Sequence, residues 1–353
     1  MRTIGRVILS AIFVVLTGLM AAAAKYLPDM FFSFYSKFSQ GILSKIGAIT
    51  GAFPFAVWEV LALVLILWAI YTFVRCFRRL GVLRWLSGLL LGFSIGLFLF
   101  VGLWGLNHFG PTIDARLGLE LRQYTAQELE QATSYYAAKA SELAELVERD
   151  GSGVVAFSDF GALANQAATG YDRLSGQYEG FTSRLSKPKK LFSWYLFSHF
   201  GTTGIFIPFT AESCVNPDTF EASIPYTMCH ELAHRQAVAR ENEANFCAFL
   251  ACAENPSIEF QYSGYYSAFI YCYNALHKSN PEAADQIWQG LAQNLKTDCL
   301  AADEHYRQYE GKVQQAAQMV NDTYLKAFSE ESGIQSYGEV ADLLISWYLQ
   351  KVV

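Results

Sequence analysis

Acidic residues are almost absent from the first part of this sequence. Residues 1–106 contain nine basic residues but only two acids, Asp29 and Glu59, whereas residues 107–353 contain 17 basic and 30 acidic residues. The hydrophobic content of the whole chain, 52%, is high for a soluble protein, and the excess lies in the part that lacks acids. We therefore expect a membrane anchor over residues 1–106 and a soluble domain over residues 107–353.

The acids missing from the first part are concentrated in the second, whose net charge is −13. A surface with this excess of negative charge repels the phosphate backbones of DNA and RNA. Nucleic acid is therefore not an expected partner of the soluble domain.

The cysteines lack the C-x-x-C spacing of a cysteine metal site. Six of them follow the anchor, and this even number permits three disulfides in an exported domain. Several lie in apolar helical patterns, which fit buried free thiols equally well. The sequence leaves both interpretations open for Cys214, Cys229, Cys247, Cys252, Cys272 and Cys299.

Three apolar runs, at about residues 7–24, 53–74 and 85–106, are long enough to cross the hydrocarbon core of a membrane. The first run ends in four alanines, Ala21 to Ala24, which a signal peptidase could recognise. A cleaved signal peptide therefore competes with an uncleaved span, and we favour the span. We expect a multi-pass protein of the cell membrane, with the lipid bilayer as a partner.

Arginines flank these runs on one side only. By the positive-inside rule, arginines in a short loop between spans indicate a cytoplasmic loop, and those before the first span place the N-terminus there too. The domain that follows the third span is then extracytoplasmic. The arginines concerned are Arg2 and Arg6 before the first run, and Arg75, Arg78, Arg79 and Arg84 between the second and third.

Two charged features next to the predicted membrane have competing interpretations. Glu59 would lie about two turns inside the second span, where an acid is costly, unless its carboxylate reaches the outer interface. The basic loop Ser186–Lys190, followed by the aromatic segment 191–200, could touch lipid headgroups or form a solvated turn.

Histidine is scarce, with six residues in 353, yet two of the six flank a glutamate in the pattern His230-Glu231-x-x-His234. On a helix His230 and His234 lie one turn apart on the same face and can converge on one ion. Neutral imidazoles with a carboxylate suit Zn²⁺ and leave a position for water, from which Glu231 can take a proton as a general base. The spacing predicts a hydrolytic zinc site.

The third ligand requires a change of chain direction. In a straight helix Glu241 would share the histidine face but lie about 10 Å along the axis from His234, too far to share an ion. Either the chain turns between His234 and Glu241 and begins a second helix that brings a carboxylate back to the ion, or the third ligand lies elsewhere. No glycine or proline marks this turn.

Strand-like runs are also scarce, and residues 204–210 form the one convincing example. Pro208 cannot donate to a strand ladder, which confines this run to the edge of a sheet. An edge strand beside a zinc helix could hold a peptide in an extended conformation, or it could simply complete a small sheet. From Glu241 onward the sequence is nearly all helical in period.

The motif and its continuation resemble known metallopeptidases. His230-Glu-x-x-His234 with Glu241-x-x-x-Asn245 is similar to the gluzincin pattern, and Glu241-x-Glu-Ala-Asn resembles the ImmA/IrrE-type metallopeptidases. Over nearly its full length the chain resembles an uncharacterised bacterial family of membrane-anchored, zincin-like domains of unknown function. The resemblance implies Glu241 as the third zinc ligand and Asn245 as a residue that orients a ligand.

Two positions depart from that pattern. The resemblance leads us to expect a glycine and an aromatic residue after the second histidine, where Ala237 and Val238 stand, and an acid at Asn245. A peptidase also needs a group that stabilises the oxyanion. The sequence does not choose among six candidates: Tyr262, Tyr265, Tyr266, Tyr271, His277 and His305.

These observations combine into one expectation. The fold is mainly α, with N-terminal transmembrane helices followed by a zincin-like α+β domain that contains a small edge-strand element. The function is a membrane-anchored, zinc-dependent metallopeptidase that cleaves envelope or extracellular polypeptides, with His230, His234 and Glu241 as ligands and Glu231 as the base. The alternative is a catalytically silent, metal-binding sensor or scaffold at the membrane, against which the retained Glu231 argues.

Overall fold

A computed structural model of the chain describes residues 3–78, 81–327 and 339–353, and of Phe77 and Arg78 only the backbone. Arg2 and Arg79 of the predicted topology signal lie outside these residues. The described part is mainly helical, as predicted, with one small sheet. The α-helices are α1 (Thr3–Tyr26), α2 (Pro28–Thr50), α3 (Val57–Arg78), α4 (Val82–Leu103), α5 (Ile113–Leu117), α6 (Ala126–Ala144), α7 (Phe160–Gln166), α8 (Thr169–Gln177), α9 (Trp194–His199), α10 (Ile224–Arg235), α11 (Glu241–Glu254), α12 (Ile258–Ser279), α13 (Pro281–Gly290), α14 (Gln293–Arg307), α15 (Lys312–Ala327) and α16 (Val340–Lys351).

Within the described residues, three helices are long and apolar enough to cross a membrane: α1, α4 and residues Val57–Cys76 of α3. Their bounds differ by a few residues from the predicted runs. The second starts later because the Glu212 carboxylate accepts the backbone N–H groups of Val57 and Trp58 and thereby fixes the start of α3. The third ends earlier because a 3₁₀ turn, Gly105–Phe109, follows Leu103.

The position predicted for Glu59, two turns inside the second span, is wrong, since this residue lies in the first turn of α3. Its carboxylate accepts hydrogen bonds from the backbone N–H of Phe192 and from both the N–H and the hydroxyl of Ser193, at 2.6–2.9 Å. Glu59 therefore attaches the segment before α9 to the end of an apolar helix.

Helix α2 connects the apolar helices with the rest of the chain. Every third or fourth side chain along it is buried, which is the single buried stripe expected for a helix packed on one side. Near its start Phe32 packs with Val101 of α4. Near its end Gly47 lies against the Arg235 side chain of α10. Contacts thus cross the predicted boundary at residue 106, although the division into two domains stays a prediction.

The main hydrophobic core surrounds α12, which packs against α6, α11 and α16. Helix α6 begins with a reciprocal capping box in which Thr125 and Glu128 satisfy each other's backbone N–H groups. Its buried Tyr136 donates to the carbonyl of Leu344 in α16. Within this core Arg149 and the Tyr262 hydroxyl both bond to the buried Asp298.

The sheet has three strands in the order β1 (Lys189–Lys190), β3 (Glu212–Val215), β2 (Gly204–Ile207). Strands β2 and β3 are antiparallel, and Ile205 faces Cys214 in their register. Strand β2 is at the edge, as predicted from Pro208, which follows the strand directly. Strand β3 rests on α10, so the sheet lies beside that helix.

The basic loop Ser186–Lys190 was expected to touch headgroups or solvent, and neither expectation holds for Lys189. Its ammonium group is buried and lies 2.6 Å from a Glu212 carboxylate oxygen. It also donates to the carbonyls of Thr50 and Phe55, at 2.8 Å each. Lys189 and Glu212 therefore join the sheet to the start of α3.

All seven cysteines are free and buried. This decides between the two interpretations left open by the sequence in favour of buried thiols. Burial raises the pKa of the Cys299 thiol to about 12 and also raises that of the Cys272 thiol. These groups therefore stay protonated and pack as small apolar side chains.

Candidate metal centre

The His-Glu-x-x-His motif lies on α10, which ends one residue after His234. The N–H of Ala237 donates to the carbonyl of His234, and the N–H of Val238 donates to that of Ala233. This pair of bonds is a Schellman motif, which needs a left-handed residue after the helix. Ala237 takes that conformation with φ +64°. The turn required by the sequence argument is therefore present, with alanine at the position where glycine was expected.

Helix α11 begins at Glu241 and brings its carboxylate back to the two histidines. One Glu241 oxygen lies 3.3 Å from His230 Nε2, and the other lies 3.5 Å from His234 Nε2. The three ligand atoms offered by these side chains lie within 4.8 Å of one another. The structure thus brings together the three residues predicted as ligands.

The second ring nitrogen of each histidine faces an oxygen. His230 Nδ1 lies 3.0 Å from the side-chain oxygen of Asn245, and His234 Nδ1 lies 2.8 Å from the carbonyl of Val238. Both oxygens accept hydrogen bonds, so each Nδ1 carries the proton in the neutral ring and each Nε2 keeps its lone pair. This arrangement of outer acceptors is the usual support of zinc-bound histidines. Asn245 lies where the resemblance places a ligand-orienting residue.

The negative charge of Glu241 favours a positive charge among the three side chains of the cluster. Burial would raise the pKa of Glu241, but the neighbouring histidines lower it well below its usual range. Burial would lower the pKa of His234, but the charge of Glu241 and their hydrogen bond raise it to about 9. A proton and a metal ion compete for the same Nε2 atoms. Two imidazoles and a carboxylate form a donor set that fits Zn²⁺.

Glu231 lies on α10 between the two histidines and is 3% exposed. Burial raises the pKa of its carboxyl group to about 7. Its Oε2 atom has no hydrogen-bond partner among the described protein atoms, which suits a carboxylate whose partner is a bound water or substrate. Strand β2 lies directly on it, because a Cβ added to Gly204 would meet Glu231 Oε1 at 2.5 Å.

The neighbouring acid, Glu243, faces away from the histidines. It is buried and lies 2.7 Å from the guanidinium of Arg240, which also donates to the carbonyl of Gly110. Glu243 is therefore a buried ion-pair partner that joins α11 to the segment after the third apolar helix.

Five of the six oxyanion candidates are occupied elsewhere. Tyr262 bonds Asp298, His305 bonds the carbonyl of Asp218, His277 stacks on Tyr273, and two others pack in or against the core: Tyr265 and Tyr266. Tyr271 is the candidate whose hydroxyl is affected by Glu241: burial raises its pKa, the hydrogen bond with Tyr226 lowers it, and the charge of Glu241 raises it. It also shares a hydrogen bond with Tyr226, which donates to the carbonyl of Asn245.

Trp104 is a site residue that the sequence argument missed. It follows the last residue of α4, and its ring meets that of His234 edge to face at 5.5 Å between centroids. Its ring also lies 6.3 Å from that of His108 and 5.0 Å from that of Phe206, between centroids. No local pattern could have identified it, because it is 130 residues from His234. Its position at the end of an apolar run was the only available signal.

The comparisons with known proteins show one family of unknown function, and they do not bear on the resemblance to gluzincin and ImmA/IrrE-type metallopeptidases. No curated protein and no solved structure matches the chain. The model of one family, described as a protein of unknown function (DUF3810), matches residues 34–345. This match includes α3, α4, the sheet and both helices of the candidate metal centre, and the chain therefore belongs to the DUF3810 family.

Proposed function

We propose that this protein is a membrane-anchored, zinc-dependent metallopeptidase of the gluzincin type. The observation that carries the proposal is the convergence of His230 Nε2, His234 Nε2 and the Glu241 carboxylate, with both Nδ1 atoms held by oxygen acceptors. Three protein ligands leave a position for water, which is the pattern of hydrolytic zinc sites. Structural zinc sites normally have a fourth protein ligand.

The chemistry expected of Zn²⁺ at this site is Lewis-acid polarisation of a carbonyl and a lowered pKa for a water. Glu231 supplies the proton transfer that hydrolysis also requires. Its carboxylate is buried next to the cluster and lies against Gly204 of β2. It takes a proton from the attacking water and passes it to the amine that leaves, and its raised pKa suits a group that must both accept and donate.

A peptide is the substrate class favoured by strand β2. The strand pairs with β3 on one side and, among the described residues, has no strand on the other. An extended peptide can add to such an edge through main-chain hydrogen bonds. Because Gly204 of this strand touches Glu231, a peptide added there would pass beside the proposed general base.

Location outside the cytoplasm is also part of the proposal. The Arg6 side chain donates to the carbonyl of Arg84 at 2.8 Å, so the starts of α1 and α4 lie together. The candidate metal centre lies at the other end of α4, beside Trp104. Arginine-rich ends of membrane helices face the cytoplasm, which favours an extracytoplasmic centre.

The test of the proposed function is Glu231→Gln. The purified full-length variant should keep its zinc and lose at least about a hundredfold in turnover, because a general base contributes on that scale. Zinc is measured by elemental analysis, and turnover by counting the new amino termini produced from a peptide library. Glu142→Gln, at an exposed glutamate of α6, is the control and should behave as the wild type.

Two results would contradict this mechanism. Cleavage by Glu231→Gln at the wild-type rate removes Glu231 from catalysis, and loss of zinc from that variant makes Glu231 a ligand. A zinc-loaded wild type that cleaves nothing above the variant favours the silent sensor or scaffold instead.

A further inference from the structure

The candidate metal centre lies at the end of a helix that is long enough to cross a membrane. Helix α4 has 22 residues, a length of about 33 Å at 1.5 Å per residue, close to the thickness of the hydrocarbon core. Trp104 follows this helix directly and contacts the His234 ring. If α4 spans the bilayer, the proposed zinc ligand is therefore at the membrane surface, one side chain away from the span.

Strand β2 approaches the same helix end. Phe206 of the strand lies 5.0 Å from Trp104 between ring centroids. Phe209, just after the strand and 47% exposed, lies 6.2 Å from Phe100 in the last turn of α4. A peptide added to β2 would thus begin or end beside the place where α4 leaves the membrane.

An exposed apolar surface lies at the end of a second span. Phe192, at 91% exposure, is tied by its backbone N–H to Glu59 in the first turn of α3. Trp58 of the same turn contacts Phe197 of α9. Exposed apolar patches of this kind mark an interaction site, and Trp and Tyr are enriched at membrane interfaces. We call the exposed apolar side chains just before α3 and around the start of α9 the aromatic surface: Phe53, Phe55, Phe192, Trp194, Tyr195 and Leu196.

The bilayer is the partner that fits the aromatic surface, because α3, to which the surface is attached, is one of the candidate spans. Two span ends are therefore linked to the domain: α3 through Glu59 and Glu212, and α4 through Trp104. Together these links hold the metal centre at one height above the lipid.

We propose that the substrate is a membrane-anchored polypeptide, cut in the stretch next to its own membrane segment; this inference rests on the proposed function. Such a chain leaves the lipid at the height of β2, and confinement to the same bilayer raises its effective concentration at the site. In the cut, the water oxygen bonds to the carbonyl carbon and the C–N bond breaks. Both protons of the water go in turn through Glu231 to the leaving amine, which gives one new carboxylate and one new ammonium terminus.

The first experiment maps cut sites. Membranes that carry the full-length wild type or Glu231→Gln are compared for new amino termini across all proteins present. Sites specific to the wild type should fall within about ten residues of a membrane segment, a reach of about 33 Å for an extended chain. Sites mainly in soluble proteins, or far from any span, overturn the inference and leave the peptidase standing. If membranes with the wild type and with Glu231→Gln give the same amino termini, the peptidase itself is overturned, and the inference falls with it.

The second experiment locates the aromatic surface and needs no activity. Because all seven native cysteines are buried, a fluorescent thiol label can be placed selectively with Phe192→Cys in the full-length chain. Leu300→Cys is the control, at a residue 58% exposed on α14, which packs on α6. In vesicles with spin-labelled lipids, the label at position 192 should lose most of its fluorescence and the control label little. Equal quenching of the two overturns the placement of the metal centre at the bilayer.

Discussion

Ala237 is one of three described residues other than glycine whose backbone has a positive φ, with Arg184 and Ala211. A left-handed conformation after a helix suits glycine, because a Cβ there is crowded by the backbone. Ala237 adopts it with φ +64° to close the turn between the two metal helices. The turn is held by Schellman bonds to His234 and Ala233, and the carbonyl of Val238 supports the His234 ring.

We expect Ala237→Gly to stabilise the protein by about 1 kcal/mol, since it removes this backbone strain while keeping both hydrogen bonds. Chemical or thermal unfolding of the detergent-solubilised chain measures the change. Ala248→Gly, inside α11, is the matched control and should destabilise by a similar amount or more, because a helix interior disfavours glycine. A destabilising effect at position 237 would contradict the left-handed turn.

The two acids at the start of α11 should differ in their effect on zinc. Glu241→Ala removes a proposed ligand and should weaken zinc binding more than about 100-fold, beyond the range of changes to residues behind the ligands. Glu243→Ala removes the partner of Arg240 and should leave zinc affinity near that of the wild type while lowering stability.

Titration with a competing chelator separates the two effects. If Glu243→Ala strips the zinc while Glu241→Ala retains it, the assignment of Glu241 is wrong, and that of Asn245 falls with it.

The sequence predicts the part of the centre that is local. His230 and His234 are one helical turn apart, and the rise of a helix alone shows that Glu241 needs a turn. The supporting contacts come from distant segments. Gly204 and Trp104 reach the site through the fold, and short-range periodicity contains no information about such contacts.

The junction of β1, β3 and α3 depends on one buried ion pair. Glu212 accepts the first two N–H groups of α3 and neutralises Lys189, which in turn donates to two carbonyls near that helix start. This pair explains why β3 was missed by sequence analysis. Its Glu and Ser are buried, and a strand whose polar residues are satisfied by remote partners does not alternate in hydrophobicity.

Glu212→Ala should destabilise the chain by about 3–5 kcal/mol, because it leaves a buried ammonium without its counter-ion and two helical N–H groups without an acceptor. The measurement is thermal unfolding in detergent. The double variant Glu212→Ala with Lys189→Met removes both charges and should recover part of the loss. A single variant as stable as the wild type would show that the pair contributes nothing.

The apolar helices were predictable because a run of about 20 apolar residues identifies such a helix, whatever segments it packs against in the fold. Their ends were less predictable. Glu212 fixes the start of α3, and Glu59 accepts hydrogen bonds from the segment before α9. Both acids lie far in sequence from the groups that they bond.

The orientation of the chain in the membrane is a further prediction. A reporter that works only outside the cytoplasm should be active when fused after residue 110 and inactive when fused at residue 80. The reason is the arginine-rich end shared by α1 and α4, where Arg6 contacts the backbone of Arg84. The reverse pattern would put the metal centre in the cytosol and require an intracellular substrate.

The separations in sequence between bonded residues have a consequence for the order of folding. His230 and Asn245 are 15 residues apart, whereas Glu59 and Ser193 are 134 apart. Closing a short loop costs less chain entropy, and contacts of short range form faster. The helical hairpin α10–α11 can therefore assemble as soon as it leaves the ribosome or translocon. The bonds that join Phe192 and Ser193 to the start of α3 close later and complete the native state.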